Sequence, residues 1–286
     1  MKPPVFAYER PETLRSAIEL LAGATGDAKI LAGGQSLVPL LNFRLASPDV
    51  LIDINRIAEL DYFRVEVGEL LIGALARHAR LYESEEVRRA CPLLHEAYGH
   101  VAHGAVRNRG TLCGNLCHAD PASELPAIML AVEAQMVLRS ADGERRVPAA
   151  RFFEGIYQTA VRANEILVQV RIPVAPAKQG WSFHEMSVRR GDFAIVAVGA
   201  TLTCVSSKIE RAALVVAGMS NGATRLWDLE AQLTGRAPTL ETFRDVAAQA
   251  ALAVDAQSDT HADERYRRDL VATLLTRALV DAAARI

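Results

Sequence analysis

The sequence predicts an α+β protein built from more than one domain, and three observations carry that expectation. Strand and helix patterns alternate at the N-terminus as they do in a small α/β unit, and the middle of the chain mixes hairpins with helices. After a Pro-containing connector, three strand-like runs are followed only by helical patterns. The length of 286 residues leaves ample material for about two domains with buried cores.

Each element has a local reason. Phe6 to Arg10 is a short extended entry, and Pro11-Glu12-Thr13-Leu14 opens a helix, with proline tolerated in its first turn. Leu14, Ala17, Ile18 and Leu21 share one helical face, and Gly23 is a stop signal. Lys29-Ile30-Leu31 is a strand, Leu37 to Leu45 adds a short helix, and Val50 to Ile54 is apolar almost throughout, as a buried parallel strand is. Phe63 to Val67 and Leu70 to Ala76 flank Gly68-Glu69, a hairpin turn. Arg77 to Ala90 and Cys91 to His103 have helical patterns, the second opened by Pro92. Ser123 to Ala134 is a further helix, Asp142-Gly143 turns a second hairpin, and Glu165 to Ile172 alternates like a half-buried strand. Val174 to Gly180 is the connector. The strand-like runs Trp181 to Val188, Ala194 to Val205 and Arg211 to Met219 precede helices over Leu226 to Leu233, Leu240 to Val254 and Ala262 to Ala284. These patterns divide the chain into residues 1–57, 58–174 and 175–286.

Composition narrows the function. A net charge of −2 with 23% charged residues gives no footprint for nucleic acid or an anionic membrane. No apolar run reaches the roughly 20 residues of a membrane span. Met1-Lys2-Pro3-Pro4-Val5-Phe6 lacks the apolar core of a signal peptide, so a cytoplasmic protein is expected. The 4 cysteines do not make a disulfide framework. Cys113, Cys117 and His118 raise a metal site, but Cys91 and Cys204 bring no second ligand cluster, so small buried thiols are expected and no metal. His95, His100 and His103 do not share a helical face.

Two glycine motifs carry the chemistry. In Leu31-Ala32-Gly33-Gly34-Gln35-Ser36-Leu37 an apolar strand ends in paired glycines and a hydroxyl. Paired glycines allow left-handed backbone and close approach of a bulky anion, and successive N–H groups in such a turn form a nest for phosphate. A lone Gly-Gly is more often a tight loop, but Arg109-Gly110-Thr111-Leu112-Cys113-Gly114-Asn115 repeats the texture further on.

Together these motifs resemble the FAD-binding medium subunit of the molybdenum hydroxylases, a family that includes the medium subunit of carbon monoxide dehydrogenase and the flavin part of xanthine dehydrogenase. The family pattern is A-G-G-x-S-L followed by R-N-x-G-T-I-G-G-N, and the second is matched from Arg107 to Asn115. His118-Ala119-Asp120-Pro121-Ala122-Ser123-Glu124-Leu125-Pro126 is similar to its H-A-D-P-A-x-D-x-P, and Arg189 to Ala194 to its R-R-K-G-D-F-A. The match runs the length of the chain in the right order.

The resemblance implies a fold of the vanillyl-alcohol-oxidase (PCMH) type, with a two-part FAD-binding region and a C-terminal domain of three antiparallel strands and a helical bundle. It implies that backbone amides of Ala32, Gly33, Gly34, Gln35 and Ser36, bracketed by Leu31 and Leu37, hold the pyrophosphate, with the Ser36 hydroxyl as a further donor. Thr111, Cys113, Gly114 and Asn115 would form the second wall. Glu124 would bond the ribose or adenine end, Leu167 would pack on the cofactor, and His184 lies near a flavin-facing lysine of some relatives. No residue of this chain is assigned a catalytic role. The implied function is electron transfer from [2Fe–2S] clusters on a small partner subunit through FAD to NAD, a quinone-linked carrier or oxygen. A large molybdopterin subunit completes a heterotrimer or a dimer of heterotrimers. Two other classes stay open: a free-standing FAD-dependent oxidoreductase and a flavin-less assembly subunit.

Two departures bear on these expectations. Cys113 stands where the family has glycine, and a positive φ there would strain cysteine by ~1–2 kcal/mol. Glu124 replaces an aspartate and reaches one methylene further. Arg107 and Arg109 have two open readings: positive charge near the flavin, or surface salt bridges.

Overall fold

The apolar run at residue 50 is the middle of a parallel sheet. In the computed structural model, which describes residues 2–286, β3 (Val50–Asp53) lies between β1 (Ala7–Glu9) and β2 (Ala28–Leu31), parallel to both. Leu51 and Ile52 are 3% and 0% exposed, as a parallel strand covered on both faces requires. Between β1 and β2, α1 (Leu14–Gly23) turns Leu14, Ala17, Ile18 and Leu21 inward. Its cap is Thr13, whose hydroxyl accepts from the Ser16 N–H at 3.1 Å, so Pro11 precedes the helix rather than sitting in its first turn. The first glycine motif connects β2 to α2 (Leu37–Asn42).

The middle of the chain forms a second sheet. The hairpin of β4 (Phe63–Glu66) and β5 (Glu69–Gly73) turns one residue earlier than the sequence predicts. Glu66 pairs with Glu69, and Val67 and Gly68 both have positive φ, 50° and 77°. Two left-handed residues give the turn whose twist matches the strands. The predicted helix from Arg77 to Ala90 is two, α3 (His78–Tyr82) and α4 (Glu85–Ala90). They are separated by Ser84, which caps the second by accepting from the Val87 N–H at 3.2 Å. Next come α5 (Pro92–Tyr98), with proline in its first turn, and α6 (Gly104–Arg107). The second glycine motif is not a loop beyond Thr111 but the start of α7 (Leu112–His118), and α8 (Glu124–Ala131) follows.

A hairpin joins β6 (Gln135–Ser140) to β7 (Gly143–Pro148), and a small one not foreseen from sequence joins β8 (Phe153–Gly155) to β9 (Gln158–Thr159). Then β10 (Ile166–Pro173) inserts between β5 and β6, giving the order β4-β5-β10-β6-β7. Ile166, Val168, Val170 and Ile172 are buried and Gln169 and Arg171 part-buried, the alternation the sequence predicts, while Leu167 is buried as well beside a register shift.

The third sheet has four strands among the described residues rather than three: β11 (Gln179–Met186), β12 (Val196–Val205), β13 (Lys208–Ala217) and the two-residue β14 (Thr224–Arg225). Alternation splits its side chains between two cores. Phe183, Ala197 and Val215 join the core that contains Ile128 of α8. Val196, Val198, Leu214 and Val216 join the core made with α9 (Trp227–Leu233), α10 (Leu240–Ala253) and α11 (Glu264–Ala284).

Candidate functional site

The first glycine motif leaves the C-terminal end of β2 with its N–H groups free. Those of Ala32, Gly33, Gly34, Gln35 and Ser36 find no backbone acceptor, while the carbonyls of Gly34 and Ser36 start α2 by accepting from Val38 and Leu40. Gly34 supplies the left-handed turn, with φ 72°. The Ser36 hydroxyl makes no capping bond to the helix it precedes. A run of unspent donors beside a hydroxyl is the chemistry that takes a pyrophosphate.

Glycine at 33 and 110 is explained by close packing. A Cβ on Gly33 would lie 2.4 Å from the Arg109 carbonyl oxygen and 2.7 Å from the Gly110 Cα. On the far side of Gly110, a Cβ would lie 2.7 Å from the His78 ring, and the His78 N–H donates to the Gly110 carbonyl at 3.0 Å. The two motifs therefore meet backbone to backbone, stacked on a buried imidazole whose pKa burial pulls down to about 3. A neutral His78 is compatible with the nearby Arg77 and Arg107 cations.

Beyond this contact Thr111 caps α7, its hydroxyl accepting from the Gly114 N–H at 3.1 Å, and a Cβ on Gly114 would meet that hydroxyl at 2.8 Å. Cys113 is in the helix with no positive φ and is 2% exposed, so the strain conditional on left-handed backbone does not arise. The Asn115 side-chain oxygen accepts from Ser123 Oγ at 3.0 Å, which ties α7 to the start of α8. Glu124 follows, 3% exposed. Burial pushes its carboxyl up to about 8, with Glu185 and Asp120 adding repulsion. Leu167, 4% exposed, lies on β10, against which α7 packs.

The structure thus packs Gly33 against Arg109 and Gly110, with residues 112–115 following in α7 and Glu124 at the start of α8, and it places His184 apart from them. Its Nε2 is 2.9 Å from Asp281 Oδ2 of α11, because alternation on β11 turns it to the helical face. The neighbour Glu185 takes the other face, that of Phe183, and burial pushes its carboxyl up to about 7. Arg107 makes no salt bridge among the described residues. Its guanidinium donates to the carbonyls of Val101 and Ala102 at 2.9 and 2.8 Å and holds the loop before α6. Among the described residues no three His, Cys, Asp or Glu are grouped to hold a metal.

Four site residues escaped the sequence reading. Tyr8 donates to Asp53, Asp53 accepts from the Asn55 N–H at 2.9 Å, and Asn55 Nδ2 donates to the Ala32 carbonyl at 2.8 Å. Arg77 reaches Asn55 Oδ1 at 2.6 Å and the Arg109 carbonyl at 2.5 Å. A signal existed for Asp53 and Asn55, since polar residues at and just past the end of a buried parallel strand sit where open α/β sheets bind ligands. Arg77 carries none, because its partner carbonyl is distant in sequence.

Residues 4–175 match the family described as the FAD binding domain in molybdopterin dehydrogenase, and residues 181–282 match the CO dehydrogenase flavoprotein C-terminal domain. The caffeine dehydrogenase subunit beta of Pseudomonas sp. (strain CBB1) is 39% identical over 287 residues, covering 100% of this chain and 97% of its own. The carbon monoxide dehydrogenase medium chain of Hydrogenophaga pseudoflava is 36% identical over 286 residues, covering 100% of this chain and 99% of its own. A solved structure of carbon monoxide dehydrogenase from Hydrogenophaga pseudoflava superposes with a TM-score of 0.96 at 36% identity, over 100% of this chain and 99% of that one. Quinoline 2-oxidoreductase from Pseudomonas putida 86 gives 0.94 at 37% identity, over 99% of both chains.

Proposed function

The chain belongs to the FAD-binding medium subunits of the molybdenum hydroxylases, and from that premise we propose how its residues hold the dinucleotide and what the subunit does. The free N–H groups of Ala32 to Ser36 take the pyrophosphate, with the Ser36 hydroxyl as a further donor and Leu31 and Leu37 bracketing the turn. Thr111, Gly114 and Asn115 form the opposite wall, Cys113 backs it from the core, and Leu167 supports it from β10. Glu124 bonds a ribose hydroxyl or the adenine. His184 has no part in this reading, since it is paired with Asp281.

Bound FAD supplies reversible electron uptake, here from [2Fe–2S] clusters on a small partner subunit, with release to NAD, a quinone-linked carrier or oxygen. A large partner subunit carries the molybdopterin, and the three form a heterotrimer or a dimer of heterotrimers. Relatives called medium chain or subunit beta support that assembly. This chain's residues bind and orient, and none moves a proton of the oxidised substrate. We read residues 1–57, 58–174 and 175–286 as three units of a vanillyl-alcohol-oxidase-type fold, supported by the three main sheets. A cytoplasmic setting accords with the lack, among the described residues, of any helix long and apolar enough to cross a membrane.

One observation carries the reading: a row of unspent backbone donors packed against the second glycine motif. The test is the visible spectrum of the purified chain before and after adding FAD. Two flavin bands at near-stoichiometric amount are expected. A chain that holds no flavin even in excess FAD would overturn it.

A further inference from the structure

Arg77 and Asn55 together link the two glycine motifs by side-chain hydrogen bonds. Arg77 Nη1 donates to the Arg109 carbonyl at 2.5 Å. Nη2 donates to Asn55 Oδ1 at 2.6 Å, and the same amide group donates through Nδ2 to the Ala32 carbonyl at 2.8 Å. Asn55 is fixed in turn by Asp53, which accepts both its backbone N–H and its side-chain Nδ2. The contact this chain of bonds spans is the tight one, in which Gly33 touches Arg109 and Gly110 with no room for a Cβ.

We propose that Arg77 and Asn55 form a clamp that sets the separation of the two dinucleotide-holding motifs, making them positioning residues for the FAD pyrophosphate. The inference rests on the FAD reading above and deepens it. The clamp is directional. A planar guanidinium spans a carbonyl and an amide oxygen at once, which a lysine ammonium on a flexible stem does not do in the same geometry. Asn55 is required as an amide, because it must accept from Arg77 and donate to Ala32 simultaneously, and aspartate can only accept. Neither residue need touch FAD. Each acts through carbonyls whose own segments carry the N–H donors.

The experiment uses Arg77→Lys and Asn55→Asp in the full chain, each close in size to the residue it replaces. FAD and ADP are titrated separately, and the melting temperature is measured without ligand. FAD binding by the unaltered chain is the control. If that control binds no FAD, the functional reading itself fails, a result distinct from failure of the clamp. With the control binding, both variants are expected to lose about tenfold or more in affinity, by the same factor for FAD and for ADP. The ligand-free melting temperature of Arg77→Lys is expected to stay near the original, and that of Asn55→Asp to fall modestly, since its new oxygen faces Asp53. The double variant is expected to be little worse than either single one, as two members of one clamp must be. Unchanged affinity would overturn the proposal. So would a loss that tracks a large fall in ligand-free melting temperature in both variants, since that places the pair in general stability. Weakened FAD with unchanged ADP would also overturn it, by moving the effect away from the pyrophosphate.

Discussion

The paired glycine motifs and the C-terminal sheet both bring distant backbone segments together, and they treat backbone polar groups in opposite ways. In the C-terminal sheet the carbonyls are met. Arg267, 4% exposed, donates to the carbonyls of Ile195 and Gly218, the latter at 2.9 Å, and to Asp259. Arg225, 9% exposed, holds both oxygens of Glu230 at 2.9 and 3.0 Å and the Leu130 carbonyl at 3.0 Å. In the glycine motifs, carbonyls are held in place by Asn55 and Arg77 while the adjacent N–H groups stay free. A buried network that meets backbone carbonyls fixes architecture, whereas a rigid frame around unspent donors fixes a binding site.

Breaking the contacts that meet the C-terminal carbonyls should cost most. Arg267→Met leaves two buried carbonyls without their donor and removes one of the partners of Asp259, and about 2–5 kcal/mol of stability should be lost. Urea unfolding measures it, and FAD affinity of the folded fraction should be unchanged. Gly33→Ala acts on the other region. A methyl at 2.4 Å from the Arg109 carbonyl must push the two motifs apart. We expect FAD binding to weaken by about 1–3 kcal/mol, with a smaller fall in ligand-free stability. Equal losses in both quantities would erase the distinction between the regions.

Glu124 sharpens the comparison through pH. Its folded-state carboxyl is pushed up to about 8 from an ordinary value near 4.5, so the fold holds this proton more tightly than the unfolded chain does. The stability it contributes is full below the ordinary value and is lost as pH rises through the folded one. Urea unfolding of the ligand-free chain at about pH 5 and about pH 9 should therefore show a decline that Glu124→Gln reduces. Glu185, pushed up to about 7, leaves a residual slope. The smallest effect belongs to Cys113→Gly. The backbone there is helical with negative φ, so glycine relieves nothing and costs about 1–2 kcal/mol through lower helix propensity and the loss of a buried thiol. FAD affinity should not change, as a titration would show. A tighter complex would mean that the thiol does intrude on the binding site.

Much of the fold was legible because it is written in short-range patterns. Leu14, Ala17, Ile18 and Leu21 face inward as their spacing predicts, and Val50 to Asp53 is the buried parallel strand its composition describes. Errors fell where a local signal had two outcomes. Gly68 fixed a turn but not its register, and Arg77 to Ala90 hid a break because Ser84 is tolerated in a helix as well as at a cap. The motif from Gly110 to Asn115 resembled a loop until Thr111 was seen capping a helix.

The sequence by itself determined the glycine motifs, their order, the family and the cofactor, since these depend on residue types that few other arrangements require. Tertiary structure alone decided which of them touch. Gly33 meets Gly110, and Arg77 meets Arg109, through contacts between segments far apart in the chain. It also decided that His184 faces α11 while Glu185 faces the other way. Strand alternation makes the two outcomes mirror images, and only the packing of the third sheet between its two cores selects one.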